Sequence, residues 1–386
     1  MSDRLSNTDI ADLTAFRRDL HRFPEVSRDE ATTAKRIIAA LAQLRPDQTL
    51  TAVGGHGVAA IFAGREPGPT VLFRCELDAL PIEELSDAPH RSTIPGKGHL
   101  CGHDGHMAIV IALARLLSRQ RPARGRVVLM FQPAEEDGSG AAAVLKDPAY
   151  AAIRPDWAFS LHNIPGLALG QCWLTDGPVN CASVGMKITL NGKTSHAAQP
   201  ERGLSPGLAM SRLIPALSAL GQGGPLGPDY RLVTITHAKL GEPAFGISPA
   251  HGEVWATLRT MLDAPMAALK SAATALAEAE AQATGLTLDI SWHDDFAASV
   301  NDPDATRHLA RALDALPIPH ATGDLPMRAS EDFGRFGTHP GTKGAMLYLG
   351  AGADHPALHN PDYDFPDDLI PLGARIFARV ARDLLG

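Results

Sequence analysis

The segment His99-Leu100-Cys101-Gly102-His103-Asp104-Gly105-His106 puts a thiol and an imidazole two residues apart, just before a strongly apolar stretch. A thiolate and a neutral imidazole at that spacing can face one cation. On these residues alone two other readings stay open. Cys101 could be a small buried side chain beside a glycine-flanked helix start capped by Asp104. It could also be a covalent nucleophile with a histidine as its base. The run Gln132-Pro133-Ala134-Glu135-Glu136-Asp137-Gly138 carries a second chemistry. In an extended chain Glu135 and Glu136 point opposite ways, so one carboxylate can bind a metal while the other faces a water. One ligand and one general base is the division of labour that metal-assisted hydrolysis needs. A solvated acidic turn that opens a helix is the alternative.

Three further residues are unremarkable singly: Asp78 in Leu77-Asp78-Ala79-Leu80-Pro81, His162 in Leu161-His162-Asn163, and His359 in His355-Pro356-Ala357-Leu358-His359. Each alone reads as a satisfied loop or core residue. Together, Cys101, His103, Glu136, His162 and His359 make five metal-competent side chains. Five are too many for one tetrahedral zinc with an open position, but they suit two ions that share a bridging group and a water.

The elements that must position these groups follow from periodicity. Helical stripes run over Thr8 to Leu20 and Asp29 to Leu44, and strands over Gly57 to Phe62 and Thr70 to Leu77. An apolar helix from His106 to Leu117 follows, then a strand from Arg126 to Gln132, a short helix from Gly140 and a strand from Trp157 to His162. This alternation predicts an α/β layer with a mainly parallel sheet flanked by helices. Functional residues gather beyond the carboxyl ends of such strands, where Asp78, Glu135, Glu136 and His162 fall. From about residue 182 the pattern becomes strand, helix, two strands, helix, strand, which predicts a smaller α+β insert of the split βαβ, ferredoxin-like kind. The expectation is a discontinuous first domain, 1–181 and 297–386, interrupted by a second at 182–296.

Composition limits the function classes. The 386 residues carry a net charge of −8, which argues against a nucleic-acid or anionic-membrane binder. No apolar run approaches the roughly 18 residues of a membrane span, and the polar start lacks a secretory signal pattern, so a cytoplasmic location is expected. Four cysteines are too few for a disulfide scaffold, while sixteen histidines are many beside four tyrosines.

Several ordered motifs then resemble one family. They are Asp19-Leu20-His21-Arg22-Phe23-Pro24-Glu25, Asp78-Ala79-Leu80-Pro81-Ile82-Glu83-Glu84, the Cys101 to His106 block, Phe131 to Glu136, His162-Asn163-Ile164-Pro165, Gly192 to Pro200, Ser330-Glu331-Asp332-Phe333 and the His359 loop. The chain resembles the dinuclear-metal amidohydrolases and exopeptidases that include carboxypeptidase G and aminoacylase. Within them it is most similar to the hippurate hydrolase and auxin-conjugate hydrolase branch. The resemblance implies a zinc-peptidase-like catalytic domain with an inserted lid through which many members form homodimers or higher oligomers. It implies two divalent ions, manganese or zinc, held by Cys101, His103, Glu136, His162 and His359, with Glu135 as general base. The mixed ligand set also allows cobalt or nickel. Asp78 would orient a ligand. His196 would reach the partner's active site and stabilise an oxyanion, or else be a turn histidine. Arg259 would help to hold a substrate carboxylate, or else be an exposed strand arginine.

The implied reaction is hydrolysis of the amide of a small N-acyl amino acid, such as an N-acetyl or N-benzoyl conjugate. A dipeptidase or carboxypeptidase of the same family is the nearest alternative. A thiol hydrolase built on Cys101, or a non-catalytic binding protein, are alternatives of other classes; the intact Glu135 argues against the last. Two departures stand out. Glu76 replaces the usual aspartate of the Asp-x-Asp-Ala-Leu-Pro strand, and Gly246 stands where an asparagine is common.

Overall fold

Long runs of Val, Leu, Phe and Ala bounded by glycine- and proline-rich loops need burial on both faces, and in the computed structural model they form the middle of a large sheet. Residues 4–386 are described. They fall into two compact units, one comprising the described residues up to Val179 with Ser299–Leu325 and Asp332–Gly386, the other Asn180–Ala298 with Pro326–Glu331.

The first unit is built on eight strands in the order Gln48–Val53, Gly57–Ala63, Arg124–Gln132, Glu66–Glu76, Trp157–Pro165, Lys343–Gly352, Cys172–Trp173 and His320–Ala321. The four central strands are mutually parallel, and the strands outside them, Gly57–Ala63 and Cys172–Trp173, are antiparallel to their inner neighbours. Helices Asn7–Arg22, Ala31–Ala42, His103–Arg119, Pro303–Ala315 and Leu369–Leu385 flank this mainly parallel mixed sheet. Their apolar faces and the sheet share one core that includes Leu13, Ile37, Phe73, Leu113, Phe159, Leu309 and Phe377.

The 7–22 helix opens with a capping box, in which Ser6 Oγ accepts from Asp9 N–H and Asp9 Oδ2 accepts from Ser6 N–H. The 103–119 helix is buried from His103 through Ala114, so it must satisfy any polar side chain internally.

The second unit has strands Ala182–Asn191, Arg231–Leu240, His251–Thr260 and Thr287–Phe296 with helices Gly207–Ala219 and Asp263–Thr284. All strand pairs are antiparallel, and the second, third, first and fourth strands in chain order lie side by side. That is the ferredoxin-like βαββαβ arrangement. Val184, Met186, Ile188 and Leu190 alternate inward onto a separate core that includes Leu213, Leu258 and Leu269. Among the described residues no helix is long and apolar enough to cross a membrane.

Four details differ from the sequence expectation. The apolar helix starts at His103 rather than His106, because Gly102 occupies the N-cap with φ 91° and turns the chain into the helix at once. Asp104 is therefore a first-turn residue and not the cap. His162 lies inside its strand, which runs on to Pro165. Glu135 and Glu136 sit in a tight turn closed by Gly138 N–H donating to Glu135 O, not in extended chain.

Candidate metal centre

The candidate centre lies wholly in the first unit and draws on four separate stretches of chain. Cys101 is delivered just before the 103–119 helix and His103 by its first turn. His162 comes from a central strand, Glu135 and Glu136 from the turn after the 124–132 strand, and His359 from a loop in which it takes φ 67°. The close approach behind this convergence depends on Gly102. A Cβ there would lie 2.4 Å from Asn163 Oδ1.

Hydrogen bonds fix which atoms face inward. His103 Nδ1–H donates to the Asp78 backbone carbonyl at 2.9 Å. In the neutral ring Nε2 is then the lone-pair nitrogen. That atom is buried without a hydrogen-bond partner, 3.8 Å from Glu136 Oε1 and 4.0 Å from Glu135 Oε2. His162 Nδ1–H donates to Asn163 O at 2.7 Å, which leaves Nε2 as the acceptor atom 3.4 Å from Cys101 Sγ. His359 Nε2 is 3.8 Å from Glu136 Oε2. Donor atoms of Cys101, His103 and His162 lie within 4.8 Å of one another, and so do those of Cys101, Glu136 and His359. Soft sulfur, imidazole and carboxylate donors in two overlapping groups fit divalent cations, and an orphaned imidazole nitrogen aimed at two carboxylates is the local sign of it.

The electrostatics point the same way. Burial opposes the charged form of His103, yet its Asp78 hydrogen bond and the nearby Glu76 and Glu136 charges raise it to about 10. The surrounding carboxylates thus favour a positive charge at this position. Burial keeps His162 neutral, lowering it to about 3. Burial, reinforced by Glu136 and Glu135, pushes the Cys101 thiol well above its ordinary value. A thiol nucleophile needs the opposite shift, so the protein's own groups do not activate Cys101. Asp78 is fully buried and, against that burial, is held below its ordinary value by His103, Glu136 N–H at 2.9 Å and Ser27 Oγ at 2.8 Å.

His196 and Arg259 belong to the second unit. His196 is exposed and its Nδ1 accepts from Ala198 N–H at 3.1 Å. Arg259 is partly buried, its Nη1 donating to Ser330 Oγ at 2.7 Å and to the Arg328 carbonyl. Gly246 lies in the loop beside His196, and its carbonyl accepts from Ala197 N–H.

Sequence reasoning missed the polar chain beneath the centre. Arg74 bridges Glu76 and Asp332, Glu76 Oε2 accepts from His106 Nδ1–H at 2.6 Å, and His106 Nε2 meets Asn163. Asn163 continues to Tyr363 Oη at 2.5 Å. Glu76, one carbon longer than the expected aspartate, spends that length on reaching His106. A charged residue in an otherwise apolar strand was the available signal.

The family model described as peptidase family M20/M25/M40 matches residues 72–383. N-acetyl-L-cysteine deacetylase of Bacillus subtilis (strain 168) is 31% identical over 97% of this chain and 88% of its own length. IAA-amino acid hydrolase ILR1-like 5 of Arabidopsis thaliana is 30% identical over 96% of this chain and 86% of its own. Among solved structures, the Bacillus subtilis YxeP protein, described as a dinuclear metal binding peptidase, superposes with a TM-score of 0.80 at 26% identity, covering 99% of both chains.

Proposed function

The chain belongs to peptidase family M20/M25/M40, and on that premise we propose that it hydrolyses the amide bond of N-acyl amino acids to a carboxylate and a free amino acid. A metal-dependent amidohydrolase is the class that its deacetylase and amino acid hydrolase relatives support. The observation that carries the reading is His103 Nε2, buried and unpartnered between Glu135 and Glu136 while Nδ1 is tied to Asp78.

Cys101, His103, Glu136, His162 and His359 would hold two divalent ions, manganese or zinc, with cobalt or nickel also compatible with these donors. When bound, such ions supply Lewis acidity that polarises a carbonyl and makes water more acidic. The protein's own residues do the rest. Glu135, buried at the lip of the donor cluster, takes a proton from water on its carboxylate and delivers it to the leaving amine nitrogen. Asp78 holds His103 through its carbonyl and the Glu136 backbone through its carboxylate, so ligand and base keep a fixed relation. The 182–296 insert would act as a lid and as the contact of a homodimer. In that dimer His196 would serve a second copy's site as oxyanion donor, and Arg259 would pair with the substrate carboxylate.

The test is hydrolysis of N-acetyl amino acids, N-benzoyl amino acids and dipeptides before chelation, after it, and with manganese or zinc restored. Activity on the acylated substrates that disappears with chelator and returns with metal is the expected result. Activity indifferent to chelation, with sensitivity to thiol reagents, would replace the reading with one centred on Cys101. Preference for a free α-amino group would favour the dipeptidase alternative.

A further inference from the structure

Glu30 is a fully buried carboxylate far from the donor cluster in sequence, and the proposed chemistry gives it no part. It stands at the N-cap position of the Ala31–Ala42 helix, yet its side chain makes no capping bond to that helix. Instead, Oε1 accepts from Ala134 N–H at 2.8 Å and from Arg28 N–H at 2.9 Å. Both of those residues are non-glycine with positive φ, 51° at Ala134 and 70° at Arg28. A side chain disfavours that conformation, and it persists only where the surroundings over-determine it. One carboxylate oxygen therefore pins two strained residues, one of which immediately precedes Glu135 and Glu136.

Two further ties run from the same short turn to the same place. Ser27 Oγ donates to Asp78 Oδ2, the oxygen that also accepts the Glu136 N–H. The Arg28 guanidinium meets Asp137 at 2.8 Å, just past the two glutamates. The Arg28 pair is exposed and contributes little by itself. Glu30 and the Asp78 carboxylate that Ser27 meets are fully buried, where a hydrogen bond fixes direction more firmly.

We propose that the 27–30 turn is a brace for the metal centre, with Glu30 as a positioning residue that holds Ala134 in its left-handed conformation and so aims Glu135 and Glu136. The proposal rests on the reading of Glu136 as ligand and Glu135 as base. Removing the acceptor frees residue 134 to relax, and the two glutamates then swing with it.

The experiment is titration of the full-length metal-free protein with cobalt(II), followed by its visible absorption, together with turnover of an N-acetyl amino acid at saturating cobalt. Loss of a supporting hydrogen bond of this kind weakens metal binding or activity by about 10–100-fold. Glu30→Ala is expected to show that loss in cobalt affinity, and a fall in kcat with KM unchanged. Glu30→Gln keeps an acceptor oxygen for both N–H groups and should stay within about threefold of wild type. Glycine adopts positive φ without strain, so adding Ala134→Gly to Glu30→Ala should recover part of the loss. Wild-type cobalt affinity in Glu30→Ala would overturn the proposal, as would a Glu30→Gln variant that falls equally far. If Glu30→Ala does not fold, Ser27→Ala probes the same brace, with about two- to fivefold weaker binding expected and unchanged binding overturning it. Glu136→Ala separates the two levels. If it binds cobalt normally, the ligand reading itself fails; if it does not while Glu30→Ala does, only the brace fails.

Discussion

The two units bury different things. In the first, Arg17, His21, Glu30, Arg74, Glu76, Asp78, His103, Asp104, His106 and Asp332 are all essentially inaccessible to solvent. In the Asn180–Ala298 part of the second, no charged or histidine side chain is buried, and the core is Val, Ile, Leu, Met and Ala. An interior of the second kind is favoured by its apolar area alone. An interior of the first kind holds only if its charges find opposite charges or hydrogen-bond donors, and such pairing fixes geometry more than it adds stability. The difference shows where the molecule needs fixed side-chain directions: around the candidate metal centre.

The clearest case is the cluster behind the 103–119 helix. Arg17 meets Asp104, Asp364 and Asp367, while His21 sits between Asp104 at 2.9 Å and Glu84 at 3.2 Å. Burial opposes a charged His21, but Asp104 and Glu84 overcome it and raise it to about 10. A folded-state pKa above the ordinary 6.5 means that this stabilisation is complete below about pH 6.5 and is lost as pH rises through 10. Wild-type stability to urea should therefore decline across that window. His21→Gln removes the cation and leaves buried carboxylates uncompensated, which should cost about 3–5 kcal/mol near neutral pH. The variant should also flatten the alkaline decline. If unfolding at several pH values shows the same slope in both proteins, the charged core has been misread.

A matching change in the second unit should cost nearly as much stability and nothing at the centre. Leu258 is fully buried among apolar neighbours, so Leu258→Ala should lose about 2–5 kcal/mol. Its cobalt affinity should equal wild type, because every proposed ligand lies in the first unit; a tenfold weakening would contradict that separation. The smallest effect belongs to Gly285, which ends the Asp263–Thr284 helix at φ 72° with open space where a Cβ would project. Gly285→Ala should cost about 1 kcal/mol through backbone conformation alone, read as a small drop in melting temperature with activity retained.

The same contrast explains what the sequence made legible. Alternation in Val184 to Leu190 and the central apolar runs gave the strands directly, because burial on one face or both writes its period into the residues. Cys101, His103, Glu135, Glu136, His162 and His359 were legible through their order along the chain, each being weak alone. The edge strand Gln48–Val53 was not, since it is largely exposed and only Val53 of its residues is buried. Nor were the supports: Glu30 finds Ala134 across 104 residues, and Arg74 finds Asp332 across 258. No local pattern encodes a polar pair that only the fold brings together. The early helix start at His103 was hidden for another reason, since glycine at an N-cap is a weaker signal than Ser, Thr, Asp or Asn.

The central claim is that this buried charge serves a two-metal hydrolytic centre with Glu135 as its base. Glu135→Gln preserves shape and burial while removing the proton acceptor. Cobalt(II) titration of wild type and variant, paired with turnover of an N-acetyl amino acid, tests the claim most directly. The account predicts equal metal stoichiometry in both proteins and a kcat about 10²–10⁴-fold lower in the variant. Turnover near the wild-type rate with metal bound would contradict it.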